Sequence, residues 1–263
     1  MRRCDERLGE MRKNKDSLGG YKMKIVEYNS ANDIWIEFQD DYKTKVPTRY
    51  SVFVKGEIRN PYHKSVFNVG YLGQGKYEVS DKNKHTKEYK TWVDLIRRCY
   101  DPYFLNRYPT YINCYVCDEW LNFQNFAKWY EENYYEIEGE TMCLDKDILY
   151  KNNKIYSPET CVFVPNNINV LFCKRDKARG DCPIGVYFDK ERCKFVAKCS
   201  IYDREKGRSK GKFIGRYDTQ EEAFFFYKQF KEKHIKQIAK EYRDLIPSKL
   251  YFAMCNYQVE IND

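Results

Sequence analysis

The amino-acid sequence predicts an α+β multidomain chain. It has a small N-terminal β module, a central helical region ending in a strand–turn–strand–helix unit, and a C-terminal three-stranded antiparallel sheet packed on a long helix. Three observations predict this. Short runs that alternate apolar and polar residues at period two, bounded by Asn, Asp, Gly or Pro, open the chain and recur near its end. Aromatic stripes at helical spacing fill the middle. A capping-box pattern, "TQEE" from Thr219, precedes a long amphipathic run. The 263 residues are enough for more than one core.

In chain order, residues 1–20 are polar and basic with a break at Gly19-Gly20, and read as a flexible start. "YKMKIVEYN", "DIWIEFQ" and "RYSVFVKG" read as three strands of a β module over residues 21–62, ended by "IRNPY". Residues 63–87 read as a linker, with a glycine-flanked hairpin in "GYLGQGKYEVS". Gly70, Gly73 and Gly75 form no dinucleotide fingerprint, because no helix opens after them. A third domain, 88–173, starts with two helices. "KEYKTWVDLIRRCY" lines up Trp92, Leu95, Ile96 and Cys99, and "DEWLNFQNFAKWYEENY" lines up Trp120, Phe123, Ala127 and Tyr130, with Asp118 as N-cap. These stripes read as core.

The last domain, 174–263, begins with the basic linker "CKRDKARGD". Strands follow in "PIGVYFD", "KFVAKCSIY" and "GKFIGRY". A helix then runs from Thr219 to about Arg243 on Ala223, Phe226, Tyr227, Phe230, Ile235 and Ile238, and Pro247 stops it.

The formal net charge is +8, and it is not spread evenly. From Lys174 to Tyr217 there are 14 Lys and Arg against 6 Asp and Glu, a surplus as large as that of the whole chain. A local positive field of this size favours a polyanion partner over general solubility. An aromatic content of 17% alongside 33% charged residues excludes a disordered chain. No signal peptide or long apolar run is present, so neither secretion nor a membrane partner is expected, and a cytoplasmic location is. The 11 cysteines are scattered and read as reduced thiols. Cys114-x-x-Cys117 lacks a second pair at zinc spacing, so a structural zinc is not expected.

The segment "CLDKDILYKNNKIYSPETCVFVPNNIN", Cys143 to Asn169, carries the candidate chemistry. "CLDKDIL" reads as one strand, "YKNNK" as the turn, "CVFV" as the second strand and "PNNINVLF" as a helix opened by Pro165. Asp145 and Asp147, two apart, are expected on one strand face, with Asn169 one turn into the helix able to face them. Hard oxygen ligands so placed suit a divalent cation that clamps a phosphate. The stretch resembles the HNH (ββα-metal) motif of phage and intron homing endonucleases. On that resemblance Asp145 takes the first strand position and Lys146 the place of the catalytic histidine. "PETC" takes the place of "x-E-N-L", with Thr160 where the structural asparagine is usual, and Asn169 follows nine residues later. The resemblance implies Asp145 and Asn169 as ligands of Mg²⁺ or Mn²⁺, with Asp147 assisting and Lys146 steadying phosphate. The residues alone also fit a structural hairpin in which Lys146 pairs with Asp145 or Asp147.

The C-terminal strands and helix resemble the plant Apetala/ethylene-response-factor DNA-binding domain. The matching residues are Gly185, Val186, Phe195, Ala197, Ile214, Gly215, Tyr217, Thr219, Glu221, Glu222, Ala223 and Tyr227. That family lays its sheet in the major groove of duplex DNA. By alternation, Phe195, Ala197, Cys199 and Ile201 face the helix, and Lys194, Val196, Lys198, Ser200 and Tyr202 face outward. Arg192, Lys212 and Arg216 are expected to extend the outward face, and Tyr187 joins it. Tyr187 and Asp189 stand where plant members carry arginines, so base preference does not transfer.

The expected function is a phage-type, HNH-like, metal-dependent DNA endonuclease acting on double-stranded DNA in a bacterial host. Two alternatives stay open: a catalytically degenerate DNA-binding regulator derived from such an enzyme, and a phage accessory protein that binds a host protein. The sequence leaves the oligomeric state open.

Overall fold

A computed structural model describes residues 6–173, 182–203 and 208–261, and in it the chain divides into two compact units, residues 1–132 and 133–263. Most of the expected basic linker, residues 174–181, lies outside the described residues, as do residues 1–5 of the expected flexible start.

The first unit opens with a four-stranded antiparallel sheet: β1 (Met11–Lys13), β2 (Lys22–Ser30), β3 (Asp33–Phe38) and β4 (Lys45–Thr48), in that spatial order. Met23 pairs with Phe38 and Ile25 with Ile36, so the alternation puts all four on one face, where they are fully buried with Ile34 and Phe53. The module differs from expectation at both ends. It starts earlier, because Met11–Lys13 pairs with Lys22–Lys24. The run "RYSVFVKG" is not a strand, for Tyr50–Lys55 forms helix α1, ended at Gly56 in the left-handed conformation (φ +66°). Six residues are too few for period two and period 3.6 to differ, and burial of Phe53 against the sheet decides the outcome. The strand lies just before, and its Pro47 is tolerated because β4 is an edge.

The expected glycine-flanked hairpin does not form. Its backbone docks instead on the later helical segment, with Tyr71 N–H donating to the Leu121 carbonyl at 2.9 Å and Phe123 N–H donating to the Tyr71 carbonyl at 3.0 Å. A shorter hairpin follows, β5 (Ser80–Asp81) with β6 (Lys84–His85). Helix α2 (Lys87–Tyr100) is capped by Thr86, whose hydroxyl accepts from Tyr89 N–H, and it buries Trp92, Leu95, Ile96 and Cys99 as the stripe predicts. Helix α3 (Pro102–Arg107) and the two-residue strand β7 (Tyr115–Val116) lead to α4 (Phe123–Asn133). Asp118 is not an N-cap: it begins a 3-10 turn, Asp118–Leu121, that brings Trp120 inward before α4 starts. The Trp120 carbonyl there accepts the Trp92 indole N–H at 2.7 Å, which joins the two aromatic stripes.

The second unit contains β8 (Met142–Asp145), β9 (Ile155–Tyr156), β10 (Val162–Pro165), α5 (Asn166–Phe172), β11 (Val186–Asp189), β12 (Lys194–Asp203), β13 (Arg208–Tyr217), α6 (Gln220–Glu241) and α7 (Ser248–Cys255). Strands β10 and β8 pair antiparallel, and β11, β12 and β13 form a three-stranded antiparallel sheet. Helix α6 serves two cores. Its first half places Ala223 and Tyr227 against Val186, Ala197 and Cys199 of the sheet. Its second half places Ile235 and Ala239, followed by Tyr242, against Ile148, Val162, Val164 and Ile168 of the β8–β10–α5 segment. The boundary expected at residue 174 therefore does not separate two cores, because one helix closes both.

The start of α6 follows the sequence signal. Thr219 is the N-cap, and its hydroxyl accepts from Glu222 N–H at 3.1 Å. Changing Thr219→Ala should lower stability by about 1 kcal/mol, the usual cost of removing a cap, while Thr219→Ser should leave it nearly unchanged. Thermal denaturation of the two variants checks this. No described helix is long and apolar enough to cross a membrane.

Candidate nucleic-acid interface and hairpin site

In the hairpin, Val162 pairs with Asp145 and Pro165 with Met142, and Asn166 begins α5 directly after β10. Pro165 is the N-cap of that helix rather than its first residue. Asp145 ends β8, and its side chain turns back on the chain. Oδ1 accepts the backbone N–H of Asp147 at 2.8 Å and of Ile148 at 2.7 Å. This local turn is what aspartate forms readily, and it ends the strand. Burial raises the Asp145 pKa above the ordinary carboxylate value, and the two N–H bonds only partly oppose that.

Since β8 stops at Asp145, the alternation that would set Asp147 on the same face stops there too. Asp147 is half-exposed and turned to Lys146 instead. The Lys146 ammonium is buried. It donates to both Asp147 oxygens at 2.8 Å and to the Asn153 carbonyl at 2.7 Å, and it lies 5.7 Å from the Tyr156 ring centroid.

Two residues hold the loop between the strands. Asn153 Nδ2 donates to the carbonyls of Lys146 (2.9 Å) and Ile155 (2.7 Å), and Thr160 Oγ1 donates to the Ile155 carbonyl at 2.8 Å. The sequence motif includes Thr160 but not Asn153, whose only signal is the pair "NN" in a turn. Asn169 is half-buried on α5, and among the described residues no hydrogen bond or ion pair links its side chain to Asp145 or Asp147. The inward asparagine is Asn167, which the motif spacing passes over. Its amide donates to Glu140 Oε1 at 2.9 Å and also to the Tyr242 hydroxyl, while that hydroxyl donates to Glu140 at 2.5 Å.

A cation here would have Asp145 Oδ2 and the Asn169 side-chain oxygen as donors, both hard and suited to Mg²⁺ or Mn²⁺. No group of three or more His, Cys, Asp or Glu able to hold a metal occurs among the described residues. Cys114 is buried and Cys117 half-buried.

The sheet offers a different chemistry. Ala197 and Cys199 face α6 as predicted, and Lys198 and Ser200 face outward. Val196, also outward by alternation, is nonetheless buried between its cross-strand partners Tyr187 and Arg216. A bulge shifts the β12–β13 register: Ala197 pairs with Gly215, but Lys198 pairs with Phe213, so Ile214 is the extra residue. The shift reverses the faces beyond it. Phe213 comes to the outer face beside Lys198, and Lys212, expected there, pairs with Cys199 on the opposite face.

The outer face thus presents Tyr187 and Phe213, each nearly half exposed, with Lys198 and Arg216. The Arg216 guanidinium lies 4.9 Å from the Phe213 ring centroid and 3.6 Å from Asp189. Lys198 lays its stem over Gly211, where any Cβ would meet Lys198 Cε at 2.1 Å, and it has no ion-pair partner among the described residues. Like Arg216, the remaining expected cations of this face are partly neutralised. Arg192 pairs with Asp189 at 3.4 Å and Glu191 at 3.6 Å, and Lys194 pairs with Asp218. Burial pushes the Asp189 pKa up, and hydrogen bonds from the Arg192 backbone and guanidinium more than reverse this, leaving it below its ordinary value. Arg204 and Lys206, part of the local charge surplus, lie outside the described residues.

Comparison with family models, curated proteins and solved structures gave no match to this chain.

Proposed function

We propose that this chain binds double-stranded DNA through the outer face of β11–β13. We further propose that it acts as a DNA-binding regulator on the scaffold of the phage HNH-like endonucleases it resembles. The observation that carries the binding is the outer face itself. An exposed lysine, an arginine stacked on an exposed phenylalanine, and an exposed tyrosine stand together on a sheet stiffened from behind by α6. Cations there meet phosphates, and the flat side chains meet bases or sugars.

The preference for regulator over enzyme rests on Lys146. It takes the histidine's place in the resemblance, yet it is buried and bonded to Asp147 and Asn153, so it is a poor proton acceptor for water. The second reading, a metal-dependent endonuclease, is favoured by the order of β8, β10 and α5, with Asp145 at a strand end and Asn169 on the helix.

A random duplex pool tests both. The full chain should retain DNA at low salt and release it steeply as salt rises, and Mg²⁺ or Mn²⁺ should produce no nicks. Failure to retain any duplex would remove the DNA-binding reading. Metal-dependent nicking would restore the endonuclease.

A further inference from the structure

The hairpin β5–β6 in the first unit buries nothing. Every residue from Ser80 to His85 is exposed. An isolated two-stranded hairpin is marginal in water, so this one depends on its root. The root is well made. The Ser80 hydroxyl lies 3.2 Å from His85 Nδ1, Thr86 N–H donates to the Val79 carbonyl at 3.2 Å, and the His85 ring packs on Tyr89 of α2 at 5.0 Å. The result is a short arm fixed to the start of a long helix that buries one face.

Its tip is shaped rather than loose. Lys82 (φ +45°) and Asn83 (φ +65°) are both left-handed, as in the tight two-residue turns whose twist matches a hairpin. Asparagine accepts that conformation readily, whereas for lysine it is uncommon, and glycine would hold it more easily. Lys82 is there at a conformational cost, and its side chain is exposed and makes no hydrogen bond among the described residues. Lys84 follows on β6, and Lys87 and Lys90 lie in the first turn of α2, where cations oppose the helix dipole. Among the described residues neither Lys82 nor Lys84 has an ion-pair partner, although Glu78, Asp81 and Glu88 are near in sequence.

We infer that Ser80–His85 is a second DNA-contacting arm, in which Lys82 and Lys84 meet phosphates and Asn83 reaches the edge of a base. A two-stranded ribbon fits the major groove of B-DNA, and an asparagine amide at its tip suits adenine. The inference rests on the DNA-binding reading above and adds to it a contact in the other unit of the chain.

The test uses the full chain with the double change Lys82→Glu and Lys84→Glu, beside Asn83→Gly. All three positions are exposed, so the thermal midpoint should not move. The double variant should bind a duplex pool about tenfold more weakly at low salt. Its slope of log affinity against log salt should fall by about 2, close to one unit for each phosphate no longer neutralised. Asn83→Gly keeps the turn, so it should leave the slope unchanged and relax sequence preference. An unchanged affinity and slope in the double variant, with wild-type binding intact, would overturn the arm alone. Loss of binding to polyglutamate without loss of DNA affinity would overturn it in favour of a protein partner. If the wild type bound no duplex at all, the arm and the sheet would fall together.

Discussion

Replacing Lys198 and Arg216 together by glutamate is expected to weaken duplex DNA binding by about two orders of magnitude at low salt and to lower the salt slope by about 2. The two cations share the outer face of the sheet, since Lys198 pairs with Phe213 and the Arg216 guanidinium stacks on that same ring. Each reversal removes a cation from a phosphate and sets a carboxylate in its place. Four controls give the result its meaning. Lys212→Glu carries the same charge change as Lys198→Glu alone, but the bulge at Ile214 puts Lys212 on the opposite face, so its effect should be much smaller. Arg192→Glu and Lys194→Glu should also do less, because Arg192 meets two acids, Asp189 and Glu191, and Lys194 is held by Asp218. Phe213→Ala should lower affinity several-fold with the slope unchanged, since a ring contributes contact area and not counterion release. If Lys212→Glu weakened binding as much as Lys198→Glu, the outer face would not be the interface.

The contrast between Lys212 and Lys198 also shows what the sequence could carry. Alternation along β12 was legible, because ten residues at period two distinguish a helix-facing side from an open side, and Ala197 and Cys199 lie where it put them. The start of α6 was legible because Thr219 and Glu222 are a local pair, three residues apart. The bulge was not. One unpaired residue in a strand leaves no mark in composition, yet it exchanges the faces of Lys212 and Phe213. Helix α1 is not legible for a related reason, since six residues cannot separate the two periods and burial of Phe53 decides. The sharing of α6 by two cores was hidden because it depends on contacts between Ile235 or Ala239 and residues such as Val164 and Ile168, dozens of positions away. The burial of Lys146 was hidden likewise, since its partners include a carbonyl seven residues on, which no side-chain pattern records.

The hairpin supplies the second large effect. Asp145→Ala should lower stability by about 2 kcal/mol, because the N–H groups of Asp147 and Ile148 lose their common acceptor. Asp145→Asn keeps an oxygen in place and should recover most of that. Both variants should bind DNA as the wild type does. The pH dependence separates a structural carboxylate from a metal ligand. Burial raises the Asp145 pKa in the folded chain, so between the unfolded value, near 3.9, and the raised value the folded state holds more protons than the unfolded state. Wild-type stability should therefore fall as pH rises through that window and level off above it, and Asp145→Asn should lack this contribution. A bound divalent cation would favour the ionised carboxylate and reverse the trend. Urea denaturation across the window, with and without Mn²⁺, reads the difference. The regulator reading expects Mn²⁺ to change nothing, and equal heats when Mn²⁺ is titrated into wild type and Asp145→Asn with duplex present. It also expects Lys146→His to gain no cleavage. An imidazole would restore a base near neutrality, but it would give up the hold of Lys146 on Asp147 and Asn153 that fixes the loop. Mn²⁺-dependent nicking by Lys146→His, abolished again when Asp145→Ala is added, would show that the hairpin needs only its base restored to cut DNA, and would replace the regulator with an enzyme.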